Sequence, residues 1–158
     1  MSGRVVADYR ALSEILAAER ENGRSIALTN GCFDLLHVGH VRLLTEAATL
    51  ADLLVVALNS DASTRAIKGA PRPVVPLAER LEIVAAIAGV DFATSFDELT
   101  AGPLLTCLRP DLHVKGTDWT PETVPERDTV TSYGGRVVIA GDPKRHASSD
   151  LIAKLRPA

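Results

Sequence analysis

The chain has 158 residues, 46% of them hydrophobic, 23% charged and only 4% aromatic, which fits one globular domain of about 100–200 residues with a core of Ala, Val, Leu and Ile. Seventeen Lys and Arg against 20 Asp and Glu give a net charge of −3, which argues against a general nucleic-acid binder but leaves room for a locally basic pocket. Two cysteines, Cys32 and Cys107, are too few for a disulfide framework and suit a reducing cytoplasm; Met1 to Asp8 has no apolar signal core, and no apolar run reaches the ~20 residues of a membrane helix.

The first patterned segment is a helix from about Asp8 to Asn22, with Leu12, Ile15, Leu16 and Ala18 at helical spacing and Gly23 as its stop. Ile26-Ala27-Leu28 reads as a buried strand that runs into the polar Thr29-Asn30-Gly31. Val38 to Ala51 turns helical again, with Val41, Leu44, Ala48 and Ala51 on one face. Leu53 to Leu58 is continuously apolar, as in a strand covered on both sides. Pro76 and Gly89 bracket a helix carrying Leu77, Leu81, Val84 and Ala88. A weak strand at Phe92–Ser95, a short helix at Leu104–Leu108, and strands at Leu112–Val114 and Val137–Ala140 follow. A closing helix spans Ser148–Leu155, with Ser148 or Ser149 placed to cap it.

This alternation predicts an α/β fold: one doubly wound parallel sheet with helices on both faces. Ligands of such sheets bind beyond the carboxyl ends of the strands, near the switch in strand order. The segments to search are therefore Thr29–Gly39, Asn59–Pro73, Lys115–Thr117 and Gly141–Ser149.

The first of these contains His37-Val38-Gly39-His40 at the start of a helix. Two histidines three apart share one side of a turn, Gly39 permits close backbone approach, and a helix N-terminus favours phosphate. The competing readings are a His-x-x-His metal site, for which no third ligand stands out, and a core histidine satisfied by backbone. Asn59-Ser60-Asp61 follows the most apolar strand and leads to Arg65, Lys68-Gly69 and Arg72-Pro73, either a phosphate clamp or a solvated loop. Arg80 either points back to the same cleft or lies exposed beside Glu79 and Glu82. Lys115-Gly116-Thr117-Asp118-Trp119 again puts a lysine and a glycine at a strand end, and Lys144-Arg145-His146-Ala147-Ser148-Ser149-Asp150, basic and then hydroxyl-rich at a helix start, is a second anion-ready terminus. No P-loop, no Gly-x-Gly-x-x-Gly and no Gly-x-Ser-x-Gly elbow occurs; Cys32 reads as a small packed residue rather than a reactive thiol, with no base partner in evidence, and Cys107 as core.

His37-Val38-Gly39-His40 preceded by Asn30-Gly31-Cys32-Phe33-Asp34 resembles the signature of the cytidylyltransferase-like nucleotidyltransferases. Within them the chain is most similar to the D-glycero-D-manno-heptose 1-phosphate adenylyltransferases. Ala57 to Asp61, Lys68-Gly69 with Arg72-Pro73-Val74, Leu77 to Arg80, Arg109-Pro110-Asp111 with Val114-Lys115-Gly116, and Gly134-Gly135 extend the likeness in order. The resemblance implies one Rossmann-like nucleotidyltransferase domain over residues 1–158, with a leading helix in 1–24 and a catalytic core in 25–155. It also implies the stand-alone form, without the sugar-kinase domain that some relatives carry, acting as a cytoplasmic homodimer.

The implied reaction joins ATP and a sugar 1-phosphate into an ADP-sugar with release of pyrophosphate, Mg²⁺ accompanying the nucleotide. The resemblance assigns His37, His40 and Lys68 to catalysis. It assigns Asn30, Gly31, Cys32, Phe33, Gly39, Lys115, Gly116, Arg145, Ser148 and Ser149 to the nucleotide, and Asn59, Asp61, Arg72 and Arg80 to the acceptor. No protein metal site is expected, Asp34 either placing Mg²⁺ or only ordering its loop. Ala147 stands where many relatives have a hydroxyl residue. Glycerol-3-phosphate cytidylyltransferase, another sugar-phosphate nucleotidyltransferase and a non-catalytic nucleotide-binding module are the alternatives.

Overall fold

The computed structural model describes residues 2–143 and 145–157. In chain order they form β1 (Arg4–Asp8), α1 (Tyr9–Glu21), β2 (Ile26–Gly31), α2 (Val38–Ala47), β3 (Leu53–Asn59), α3 (Asp61–Lys68), α4 (Leu77–Ala85), β4 (Phe92–Phe96), α5 (Gly102–Leu108), β5 (Leu112–Lys115), α6 (Arg127–Ser132), β6 (Arg136–Ile139) and α7 (Ser148–Leu155). The six strands pair in parallel in the order β1-β4-β3-β2-β5-β6.

Strand β3 lies in the middle and is buried along its whole length, which is why its sequence is apolar without alternation. Its residues nevertheless divide between two cores. Leu53, Val55 and Ala57 pack with Leu12 and Leu16 of α1, Leu104, Leu105 and Leu108 of α5, and Val130 of α6. Leu54, Val56 and Leu58 pack with Leu44 and Ala47 of α2 and with Leu81, Val84 and Ala85 of α4. Each fully buried Leu contributes about 1.5–3 kcal/mol relative to exposure.

Three elements escape the hydrophobic pattern. The N-terminal segment, expected to hold only a helix, opens with strand β1, whose residues are mostly exposed at the sheet edge. The segment 59–73, expected to be loop, contains α3, which turns Ser63 and Thr64 inward and so shows no apolar stripe. Helix α6 buries one residue, Val130. Other boundaries shift. Strand β2 continues through Gly31, and α2 ends at Ala47, short of Ala51. Val41, expected on the buried face of α2, is 41% exposed. Neither Ser148 nor Ser149 caps α7: Ala147 holds the N-cap position, without a side-chain bond, and Ser148 Oγ instead donates to the Leu35 carbonyl at 2.9 Å.

The topology fixes where a ligand can sit. From β2 the chain proceeds to β3 on one side, whereas β5 pairs on the other, so the strand order reverses at β2. The carboxyl ends of β2 and β5 therefore diverge around a crevice. No helix among the described residues is long and apolar enough to cross a membrane.

Candidate functional site

A cavity of about 840 Å³ opens at that crevice and is lined from all four expected segments. Asn30, Gly31, Cys32 and Phe33 line it from the end of β2, and His37, Gly39 and His40 from the start of α2. Asn59, Lys68 and Arg72 approach from the β3 side, and Lys115 and Gly116 from the end of β5. Arg145, Ser148 and Ser149 close it from the start of α7, while Lys144 lies outside the described residues. Of the residues expected at the site, Asp61 and Arg80 do not line it.

The two histidines build the N-terminus of α2 reciprocally. His37 is the N-cap in extended conformation, and its Nδ1 accepts the Gly39 N–H at 3.1 Å. His40 Nδ1 accepts the His37 N–H at 3.3 Å. This is a capping box made from imidazoles. An Nδ1 that accepts carries no hydrogen, so in each neutral ring the hydrogen sits on Nε2. The ring centroids are 4.0 Å apart, and burial first, then the neighbouring His37, push the His40 imidazole down to about 4. At neutral pH His40 is an uncharged N–H donor. The geometry also requires glycine at 39, because a Cβ there would lie 2.9 Å from His37 Cε1.

The loop between β2 and α2 is held from below. Phe33 and Leu35 take left-handed backbone conformations, φ 48° and 52°, on either side of Asp34. Such residues cost about 1–3 kcal/mol each and persist where surrounding contacts over-determine them. Asp34 supplies those contacts: its Oδ1 accepts the Val75 N–H, and its Oδ2 accepts the Val74 N–H and Arg72 Nε. Burial raises the Asp34 carboxyl, but the Val74 and Val75 amides and Arg72 outweigh it and hold the group below the ordinary carboxylate value. With both oxygens engaged, Asp34 orders the loop.

Arg80 has the same kind of task, which corrects both expectations for it. It is neither at the cleft nor exposed; its side chain is 1% accessible. Nε donates to the Val75 carbonyl, Nη1 to the Cys32 and Asn59 carbonyls, and Nη2 to Asp61 Oδ1 at 2.7 Å. Asp61 also accepts the Leu77 N–H and so ties α3 to α4. Asn59 reaches the cavity, yet its amide is engaged at both ends, accepting from Cys32 Sγ and donating to Ser63 Oγ.

Cationic groups and hydroxyls surround the histidines. Lys68 ends α3 on an exposed turn. Burial lowers the Lys115 ammonium, while Glu126 and Asp118 draw it back up, and its Nζ sits 5.6 Å from the Trp119 ring centre. The cavity also takes in residues that no motif marked, among them Phe96 at the end of β4, Leu99 and Ala101 beyond it, and Glu126 before α6. Glu126 stands in the polar run Pro121–Arg127, which carries no periodicity that would single it out. No group of three or more His, Cys, Asp or Glu able to hold a metal ion occurs among the described residues.

The cytidylyltransferase-like family model matches residues 28–152. Among curated proteins, the bifunctional protein HldE of Geotalea uraniireducens is 50% identical over 146 residues, 92% of this chain and 30% of that protein. Its counterpart in Syntrophotalea carbinolica is 48% identical over 145 residues, again 92% and 30%. That of Acidiphilium cryptum is 45% identical over 153 residues, 97% of this chain and 32% of that protein. The chain thus spans about 30% of the length of the curated relatives it matches. Among solved structures, the lipopolysaccharide core biosynthesis protein from Thermoplasma volcanium superposes with a TM-score of 0.65 at 24% identity, over 77% of this chain and 100% of that one, a likeness of fold.

Proposed function

The chain belongs to the cytidylyltransferase-like family, and on that premise we propose that it joins ATP to D-glycero-D-manno-heptose 1-phosphate, forming an ADP-sugar and pyrophosphate. The observation that carries the proposal is the imidazole capping box, which places two Nε2–H donors at a helix N-terminus inside a cavity rimmed by lysine and arginine. Partial positive charge and N–H donors together suit a triphosphate.

In the proposed reaction an anionic oxygen of the sugar phosphate forms a bond to the α-phosphorus. The bond from that phosphorus to the β-bridging oxygen breaks, and pyrophosphate leaves with the electron pair. The nucleophile is already charged, so the protein needs to align the reactants and neutralise the charge that moves. His37 and His40 donate to the α-phosphoryl oxygens. Lys68 neutralises the attacking and leaving phosphates from the rim, and Arg145, Ser148 and Ser149 hold the β- and γ-phosphates. Asn30, Gly31, Cys32, Phe33, Gly39, Lys115 and Gly116 complete the nucleotide's surroundings, with Asn59 and Arg72 on the acceptor side. Arg80 and Asp61 keep a supporting place beneath these residues.

Mg²⁺ enters the proposal with the nucleotide, where it would offset phosphate charge. Asp34, with both oxygens taken, is not offered as its ligand, and an ion of this kind keeps several waters and needs few protein ligands. A single domain, a cytoplasmic location and a homodimer belong to the same reading, supported by the family likeness.

The test is a panel of nucleoside triphosphates and phosphorylated acceptors read by pyrophosphate release. The expected result is turnover that depends on ATP, heptose 1-phosphate and Mg²⁺ together. Turnover confined to CTP with glycerol 3-phosphate would overturn the assignment.

A further inference from the structure

The cavity has two halves, set by the pleat of the strands. Leu112 and Val114 of β5 pack into the core beneath α2, so His113 and Lys115 face the opposite side, toward α5 and α6. Leu28 of β2 packs into the α1–α5–α6 core, which puts Asn30 on that side as well. The hydrogen bond between His113 Nε2 and Asn30 Oδ1, 2.8 Å, joins these two residues there. Leu99 and Ala101 lead into α5, and Glu126 leads into α6. The half opposite the histidines is therefore walled by Asn30, Lys115, Glu126, Leu99 and Ala101.

Glu126 is the unexplained member. It occupies the N-cap position of α6 but makes no capping bond. Its Oε2 is buried and has no hydrogen-bond partner among the described residues. A buried carboxylate oxygen left in that state is a cost to the fold unless something completes it. A carboxylate only accepts hydrogen bonds and repels phosphate; the Lys115 ammonium offsets part of its charge without bonding Oε2, and a hydroxyl is a neutral donor that completes that oxygen. Lys115 on the same side supplies a donor for an acceptor's oxygens.

We propose that Glu126 reads the hydroxyl groups of a polyhydroxylated acceptor, making this half of the cavity the sugar subsite. The inference rests on the functional reading above and extends it. The acceptor lies with its hydroxyls against Glu126 and its phosphate turned toward the histidines and the lysines, because the carboxylate excludes the reverse orientation. The triphosphate falls to the half built on α2 and α7, and Asn30 and Lys115 serve both substrates.

Initial-rate kinetics of the wild type, Glu126→Gln and Glu126→Ala, with each substrate varied in turn, test this. Loss of one charge-assisted hydrogen bond should raise the KM for heptose 1-phosphate about 10- to 100-fold, with the KM for ATP within about twofold. Glutamine keeps the shape and one acceptor, so Glu126→Gln should be the milder variant, and thermal melting verifies that both fold. An unchanged acceptor KM, or a rise in the ATP KM in its place, would overturn the proposal. If the wild type turns over only glycerol 3-phosphate with CTP, the functional reading falls, and the glycerol 3-phosphate KM of Glu126→Gln decides this one by the same criterion.

Discussion

The start of α2 and the Asp34–Arg80 network lie side by side beneath one cavity, and both put basic side chains on buried ground. They use them in opposite ways. His40 gives one nitrogen, Nδ1, to the backbone and keeps an Nε2–H. Arg80 makes four hydrogen bonds with its guanidinium, three of them to backbone carbonyls. What separates a ligand-binding base from a structural one is therefore not charge but the number of donors the fold has already used. Arg80 locks together the end of β3, the loop after β2 and the start of α4, and so holds the histidines' platform in place.

The sharpest way to break this comparison is Arg80→Met. Removing the guanidinium takes a donor from the Val75, Cys32 and Asn59 carbonyls, and Asn59 keeps only the longer bond from the Thr64 hydroxyl. The loss should reach about 3–5 kcal/mol, toward the lower end because Asp61 is partly exposed and can be rehydrated. At about 2–4 °C per kcal/mol for a chain of this size, the melting temperature should fall by roughly 6–20 °C. A variant with wild-type melting and only a raised acceptor KM would return Arg80 to the substrate.

His40→Ala probes the other region. Losing one oriented donor to a transition-state oxyanion costs roughly 2.7–4 kcal/mol, or about 10²–10³ in kcat. The His37 N–H also loses its acceptor, so stability should fall by about 0.5–2 kcal/mol, the usual worth of a cap. Activity should thus drop far more than stability, the inverse of Arg80→Met. A kcat within about twofold of wild type would remove His40 from catalysis.

These contrasts explain what the sequence could and could not disclose. Strand–helix alternation was readable wherever an apolar face existed, as in α1, β3 and α4. It was silent for α3, whose inward residues Ser63 and Thr64 are polar, and for β1 and α6, which bury almost nothing. The site was readable as loops after strands because topology alone puts those loops together. Whether a given cation in those loops faces the cavity depends on long-range hydrogen bonds: Arg80 meets Cys32 across 48 positions and Asp34 meets Arg72 across 38. No local spacing encodes such partners. Glu126 escaped for a related reason, since its proposed role depends on lining one cavity with Lys115 and Asn30, which only sheet order brings about.

The charge state of His40 sharpens the comparison further. Its value near 4 lies below that of an unfolded histidine, about 6.5, so the unfolded chain takes up the proton first as pH falls. Stability should therefore be unaffected by this group above pH 6.5 and decline from there toward pH 4. His113, pushed to about 3 by burial and then by Lys115, acts in the same direction. Ring proton resonances followed by NMR should show His40 still neutral at pH 5.5. A midpoint above 7 would mean that the ring is mostly a cation at neutral pH, and the neutral-donor account would fail.

The smallest expected effect comes from Ala147→Thr. Ala147 has the extended backbone of an N-cap, φ −142° and ψ 146°, but no side chain to fill that role. A threonine hydroxyl there can accept an N–H of the first turn of α7, which should stabilise the helix by about 1 kcal/mol. Accepting that bond leaves its own O–H to donate into the cavity that Ala147 lines. The substitution should therefore raise the melting temperature by a few degrees, at about 2–4 °C per kcal/mol, while kcat holds or rises. Like a histidine at α2, an added hydroxyl would serve the fold through a lone pair and the ligand through its proton. If melting rises but activity falls tenfold or more, the cavity requires a small residue at 147.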